Sequence, residues 1–191
     1  MVSQERALRG VRCRISLPSG RAGKRRSLDE RLYVRFPALY RLLADRWMRL
    51  PPRSWLRRLV LRRLTGRAAA AVNRRDFEVL FVGFDPSIEY HPAGDQLPPG
   101  MDRLSQGHEG YEKVWRQMID SFEDFHAEPV EYLDFGDQLL ATTEYKGHGS
   151  GSGVPVIMPL FQLLRLRGGL VIWQKDFSDR SEALEAAARQ E

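Results

Sequence analysis

Asn73-Arg74-Arg75-Asp76-Phe77-Glu78-Val79-Leu80-Phe81-Val82-Gly83-Phe84-Asp85-Pro86-Ser87-Ile88-Glu89-Tyr90-His91-Pro92 holds a complete passage from helix to strand. Asp76 is of a type that caps helix starts, and Phe77, Leu80, Phe81 and Phe84 recur at i, i+3, i+4 and i+7, which makes one apolar face. Pro86 cannot continue a helix and pushes Asp85 toward extended backbone. Ser87 to His91 then alternates until Pro92 closes the strand. A short aromatic helix running straight into a strand needs a sheet over its apolar side.

Downstream, the sheet follows. Ala93 to Gly107 is a Pro- and Gly-rich loop of the length at which loops become lids or stay disordered. Tyr111, Val114, Trp115, Met118, Phe122 and Phe125 then repeat at threes and fours, which predicts a long amphipathic helix. Four strands are predicted after it: Pro129 to Phe135, Gln138 to Lys146, Val154 to Arg167 and Leu170 to Phe177. They are joined by turns at Gly136-Asp137, Gly147 to Gly153 and Gly168-Gly169. The glycine-rich 147–153 stretch leads into a strand rather than a helix N-terminus, so it reads as a hairpin and not as a phosphate loop. Asp179-Arg180-Ser181-Glu182 has the pattern of a capping box and opens a last helix to about Arg189. Helices first and an antiparallel meander after them give an α+β domain, a curved sheet wrapped around helices.

Upstream, Pro37 suits a first helical turn, and Leu39, Tyr40, Leu43, Trp47 and Leu50 share one side before Pro51-Pro52 stops the helix. Trp55 to Arg67 mixes apolar residues with Arg57, Arg58, Arg62 and Arg63 on a wide arc interrupted by Arg63. Packing on its own domain is the expected use of that segment, with membrane-surface contact the weaker reading. Trp55 is its only aromatic, so no specific nucleic-acid binding is expected. Ala68 to Val72 continues helically into the opening stretch. The expected organisation is a basic, poorly ordered leader over 1–27, a basic helical extension over 28–67 and the α+β domain over 68–191.

Charge divides along the same line. Residues 1–75 hold 21 Lys and Arg against 4 Asp and Glu, a net +17, while residues 76–191 hold 9 against 21, a net −12. A basic arm tethered to an acidic domain is expected to dock on it, within the chain or across a homodimer. The single cysteine, Cys13, excludes an internal disulfide and a cysteine-rich zinc cluster. The four histidines at 91, 108, 126 and 148 show no metal-binding spacing, and neither metal nor cofactor is implied. There is no apolar run of about 20 residues and the Arg-rich start lacks an apolar segment, so a cytoplasmic location is expected.

The order of these short words resembles the SnoaL-like branch of the nuclear transport factor 2-like superfamily, found in small bacterial proteins. The resemblance runs from about Ala68 to Ala188. It rests on Asn73-Arg74-Arg75-Asp76-Phe77, Phe84-Asp85-Pro86 with Glu89-Tyr90-His91-Pro92, Gly107-His108-Glu109-Gly110, Met158-Pro159-Leu160, and Arg167-Gly168-Gly169 leading to Asp179-Arg180. It implies a cone, in which a bent sheet encloses helices and leaves an apolar pocket open at one end. Members include polyketide cyclases, ketosteroid isomerases, epoxide hydrolases, dehydratases and pure binding proteins, so the fold alone does not set the function.

Ketosteroid isomerases of this fold use a tyrosine on the first helix, a basic aspartate on the first strand and a protonated aspartate on the third. The resemblance places Ala68, Tyr90 and Gln162 at those positions, and none of the three can do that chemistry near neutral pH. Gln162 keeps a donor for a carbonyl. With Gln162 inward, the resemblance turns Ile172, Gln174 and Asp176 inward too. Asp176 is then the candidate acid or base beside an apolar cavity, raised in pKa by desolvation, or else a structural charge held by an ion pair. Tyr111, Trp115, Met118 and Phe122 line the cavity in the family fold, though such a stripe is equally core. His91, alternating with Tyr90, faces away if Tyr90 faces in; His108 sits at a helix entrance. The expected function is binding of a small apolar molecule, oriented by Tyr90, Gln162, Gln174 and Asp176. The alternatives are a cofactor-independent cyclase, isomerase, dehydratase or hydrolase, and an oligomerisation or partner-binding module.

Overall fold

The structure, a computed structural model, describes residues 11, 13–17, 25–51, 53–94 and 104–189. Its helices are α1 (Leu28–Arg35), α2 (Pro37–Met48), α3 (Trp55–Asn73), α4 (Phe77–Phe81), α5 (Gly107–Asp120) and α6 (Arg180–Ala188). Its strands are β1 (Cys13–Ser16), β2 (Phe84–His91), β3 (Ser105–Gln106), β4 (His126–Asp134), β5 (Gln138–His148), β6 (Pro155–Arg167) and β7 (Leu170–Phe177).

The helix-to-strand passage is built as its residues dictate, with one shift. The Asp76 carboxylate accepts the Val79 N–H and caps α4, which stops at Phe81. Phe84, expected on the helix, instead begins β2. The corner between α3 and α4 is turned by Arg75 in the left-handed region (φ 57), and the Asp76 N–H closes it on the Ala71 carbonyl at 2.8 Å. A non-glycine residue there is strained, and the Arg75 ion pair with Asp120 is half-exposed and worth little. Arg75→Gly is therefore expected to raise stability by about 0.5–1 kcal/mol, read as a higher urea midpoint with unchanged slope.

The seven strands among the described residues form one sheet in the order β1-β4-β5-β6-β7-β2-β3. The β2–β7 pairing is parallel and the other described pairings are antiparallel. Period-two alternation gives the sheet two apolar faces. The inner face sends Tyr145, Leu160 and Val171 against Val72 of α3, Leu80 of α4 and Trp115 of α5. The outer face sends Leu140, Phe161, Leu163 and Phe177 against Ala183 and Leu184 of α6. Asp179 caps α6 by accepting the Ser181 and Glu182 N–H groups at 2.8 and 3.0 Å.

Four expectations change. The amphipathic run from Tyr111 does not stay helical to Phe125: α5 ends at Asp120, where the Ser121 hydroxyl bonds the Met118 carbonyl. Leader residues Cys13–Ser16 are an ordered edge strand on β4, since Ile15 packs with Tyr132 and Leu139. The rest of the leader up to residue 24 lies outside the described residues but for 11 and 17, as do residues 95–103 of the Pro/Gly loop. The division at 67/68 falls inside α3, because Ala68 to Val72 continues that helix without a break.

The fourth change concerns Trp55 to Arg67. The segment does pack on its own domain, but its apolar arc is split: Arg57, Leu61, Leu64 and Thr65 face in, and Trp55, Leu56 and Leu59 face out. Arg57 causes this. All five of its N–H donors are satisfied: two by Asp134 at 2.8 and 2.9 Å, two by the Met48 and Leu50 carbonyls, and one by the Gly136 carbonyl at 2.6 Å. The basic arm thus docks within its own chain here, and again where Arg26 holds Asp76 and Glu78 and where Arg14 holds Glu131. No helix among the described residues is long and apolar enough to cross a membrane.

Candidate functional site

Two adjoining cavities occupy the space between the helices and the inner sheet face. The first, about 70 Å³, lies under α5 and is lined by Tyr111, Trp115, Thr143, Tyr145, Gln162 and Gln174 with an apolar remainder. The second, about 120 Å³, lies toward the end of the sheet that α2 covers with Tyr40, Ala44, Trp47 and Met48. Ala68, Leu80, Phe84, Tyr132 and Leu164 border both. The seat for α2 requires glycine: a Cβ on Gly169 (φ 78) would stand 2.4 Å from the Ala44 carbonyl carbon.

The polar wall is a connected network. The Tyr111 hydroxyl donates to Gln174 Oε1 at 3.0 Å, and Gln174 Nε2 donates to Asp176 Oδ1 at 2.8 Å. The Tyr90 hydroxyl donates to Asp176 Oδ2 at 2.8 Å. Gln162 stands opposite Asp176 in the β6–β7 register and accepts from Thr143 Oγ1 at 3.3 Å. Burial pushes the Asp176 carboxyl up to about 7, although donors from Gln174, Tyr90 and Gln162 pull against it. Burial likewise holds the Tyr90, Tyr111 and Tyr145 phenols far above their ordinary range, with the charge of Asp176 adding to the effect, so all three remain donors at neutral pH.

Of the residues read from sequence, Tyr111, Trp115, Gln162 and Gln174 meet at the cavity wall. Tyr90 and Asp176 sit one layer behind, buried and bonded to each other. Met118 packs against the same core. Phe122 does not join them: having left the helix, it packs on Phe125 at 5.4 Å and under Gly147 of the β5–β6 hairpin. Ile172 does not either, because β6 and β7 slip register between Arg165 and Leu166, where Trp173 and Val171 pair and Ile172 is the extra residue. Val171 takes the inward place. His108 stacks on Phe81 at 4.1 Å, and His91 pairs with Glu89 on the far side of β2 from Tyr90. Neither borders the two cavities.

Two residues that sequence reasoning passed over complete the wall. Thr143 and Tyr145 alternate inward with Ala141 on β5, and that alternation was the available signal. The Tyr145 hydroxyl is buried with no hydrogen-bond partner among the described residues. The Trp115 N–H is buried too, and approaches the Tyr111 hydroxyl without reaching hydrogen-bond geometry.

Residues 66–173 match the family model of the SnoaL-like domain, more than half of the 191-residue chain. The chain belongs to the SnoaL-like domain family. The fold of this SnoaL-like domain is shared with solved structures at low identity. TerC, crystallised with polyporic acid, is 17% identical with a TM-score of 0.55, over 67% of this chain and 97% of that one. IdmH, a putative polyketide cyclase from Streptomyces antibioticus, is 21% identical with a TM-score of 0.53, over 65% and 95%. A Catenulispora acidiphila protein with a ketosteroid isomerase-like fold, in complex with trimethylamine, is 20% identical with a TM-score of 0.51, over 61% and 85%. These likenesses concern the nuclear transport factor 2-like fold and carry no ligand across. No curated protein matches the chain in sequence.

Proposed function

We propose that this SnoaL-like domain binds a small, mostly apolar molecule bearing an acceptor oxygen, held between α5 and the inner face of β5–β7. The observation that carries the reading is the Tyr145 hydroxyl, a buried donor on a cavity wall with nothing to donate to among the described residues. Such a group costs about 1–3 kcal/mol when left unpaired, a cost that a ligand oxygen removes. Trp115 offers a second donor on the same wall, and the Tyr111–Gln174–Asp176–Tyr90 network fixes the Gln174 amide behind it. Size narrows the choice, since an apolar cavity of about 150 Å³ takes up a single aromatic ring. The cavity at Tyr145 holds about 70 Å³ and the adjoining one about 120 Å³, so a ligand of that class reaches across their shared border at Leu80, Phe84 and Leu164.

Native mass spectrometry of the protein as purified, followed by denaturing extraction, reads the bound molecule and the oligomeric state together. Tyr145→Phe is the decisive variant. It is expected to hold or raise the thermal midpoint of the ligand-free protein while weakening ligand retention by about tenfold. Unchanged retention would remove Tyr145 from the site.

Asp176 supports a second reading, an enzyme of the cyclase, isomerase, dehydratase or hydrolase kind. Burial pushes its carboxyl up to about 7, and from behind the wall it would act on a substrate held by Gln162 and Gln174 through the Gln174 and Tyr90 side chains it bonds. Under that reading Asp176→Asn abolishes turnover and leaves ligand retention intact; retained turnover would end it.

A further inference from the structure

The outer surface of the first three helices carries a pattern that the cavity does not use. Leu28 is 84% exposed, Leu42 68%, Trp55 69% and Leu59 53%, and Phe36 joins them at the α1–α2 junction. Each lies in a helical row with arginines: Leu28 with Arg31 and Arg35, Leu42 with Arg46, and Trp55 and Leu59 with Arg58 and Arg62. Over residues 28–63 the chain holds ten arginines against three carboxylates. Those carboxylates are taken: Asp29 by Arg63 and Arg67, Glu30 by Arg74, and Asp45 by Arg49. Arg31, Arg46, Arg58 and Arg62 form no ion pair among the described residues and are exposed. A groove between the start of α1 and α3 is lined by Arg25, Arg62, Arg63, Arg67 and Arg74 beside Leu59.

A partner for this face must supply dense negative charge and accept isolated apolar side chains between the charges. Protein interfaces gather apolar anchors in a core depleted of charge, which is the opposite arrangement. Nucleic acid supplies charge, but three of these five exposed apolar side chains are leucines, which give bases nothing to stack on. An anionic bilayer surface meets both demands: guanidinium groups lie at phosphate depth while leucine and tryptophan enter the acyl boundary. We propose that the outer face of α1–α3 docks on the surface of a membrane containing anionic lipid. No helix among the described residues is long and apolar enough to cross it; the three helices lie along it. Because Tyr40 and Ala44 on the other side of α2 roof the larger cavity, docking sets that roof against the bilayer.

The test is co-sedimentation of the full chain with vesicles of phosphatidylcholine alone and with phosphatidylglycerol added. Binding is expected only with phosphatidylglycerol. Arg58→Gln with Arg62→Gln should weaken it by about 25-fold, since each surface arginine contributes roughly fivefold. Leu42→Ser with Trp55→Ser and Leu59→Ser should weaken it by at least about tenfold, with an unchanged thermal midpoint because these side chains are exposed. Trp55 is the exposed member of the four tryptophans, so vesicles should blue-shift the emission, and Trp55→Phe should keep binding while losing most of that shift. Three results overturn the proposal: no binding to phosphatidylglycerol vesicles, binding that survives the triple serine variant, or a triple variant whose only change is loss of self-association in sedimentation velocity.

Discussion

Asp134→Ala is expected to lower folding stability by about 3–5 kcal/mol, among the largest single-site losses in this chain. The Asp134 carboxylate is fully buried, and its two oxygens hold Arg57 while one of them also accepts the Gly136 N–H at 2.9 Å. Removing it leaves a buried guanidinium with two of five donors unmatched, and the arginine cannot shed its proton to escape. The loss has a place as well as a size. Arg57 ties the end of α2, through Met48 and Leu50, to the β4–β5 turn at Gly136, so the α2 roof of the cavity should loosen first. Urea melts give the size, and hydrogen exchange over α2 gives the place. Arg57→Met combined with Asp134→Leu should recover only part of the stability: it removes the unpaired buried charge, but the Met48, Leu50 and Gly136 carbonyls and the Gly136 N–H lose these partners. A loss below about 1 kcal/mol in Asp134→Ala would mean that water reaches the guanidinium.

That pair also marks where the sequence stops being legible. Strands, turns and the cone were readable because they rest on local period: alternation in β4–β7, glycines at 136, 168 and 169, and Asp179 as a cap. Arg57 could not be singled out from Arg58, Arg62 and Arg63 by any local pattern, since what distinguishes it is Asp134, seventy-seven residues away in sequence. Turning Arg57 inward turns Trp55 and Leu59 outward, so one long-range ion pair changes which side of the first turns of α3 packs, while Leu61, Leu64 and Val72 face the core further along.

The site shows the same division. Gln162, Gln174 and Asp176 share a face by parity, and parity is visible in sequence. Ile172 fails because a bulge breaks parity between it and Gln174, and nothing in Val171-Ile172-Trp173 announces one. Phe122 fails because the helix ends two residues before it at a serine with good but not decisive stopping character. Tyr145 was overlooked although its alternation was plain; only the cavity shows that its hydroxyl lacks a partner.

Asp176 should make stability fall as pH rises, against the usual behaviour of a carboxylate. Its folded-state pKa of about 7 lies above the unfolded value of 3.8, so between those values the native state holds a proton that the unfolded chain has released. The stabilisation is complete below about pH 4 and is lost as pH climbs through 7. At about 1.4 kcal/mol for each pH unit of difference the loss is on the order of 4 kcal/mol. The carboxylates held below their ordinary range, Asp29, Asp76, Asp85 and Asp124, act in the opposite sense and in another window, losing stability only as pH falls below about 4. The difference between wild type and Asp176→Asn in urea melts at pH 5 and pH 8 therefore isolates Asp176, because every other group cancels in it. The wild type should be more stable at pH 5. Asp176→Asn keeps the shape of the protonated acid without its titration, so most of that difference should vanish, at a cost of about 1 kcal/mol for rearranging donors around Tyr90 and Gln174. A wild-type profile flat between pH 5 and pH 8 would show Asp176 already ionised in the fold, and the acid–base reading of the site would go with it.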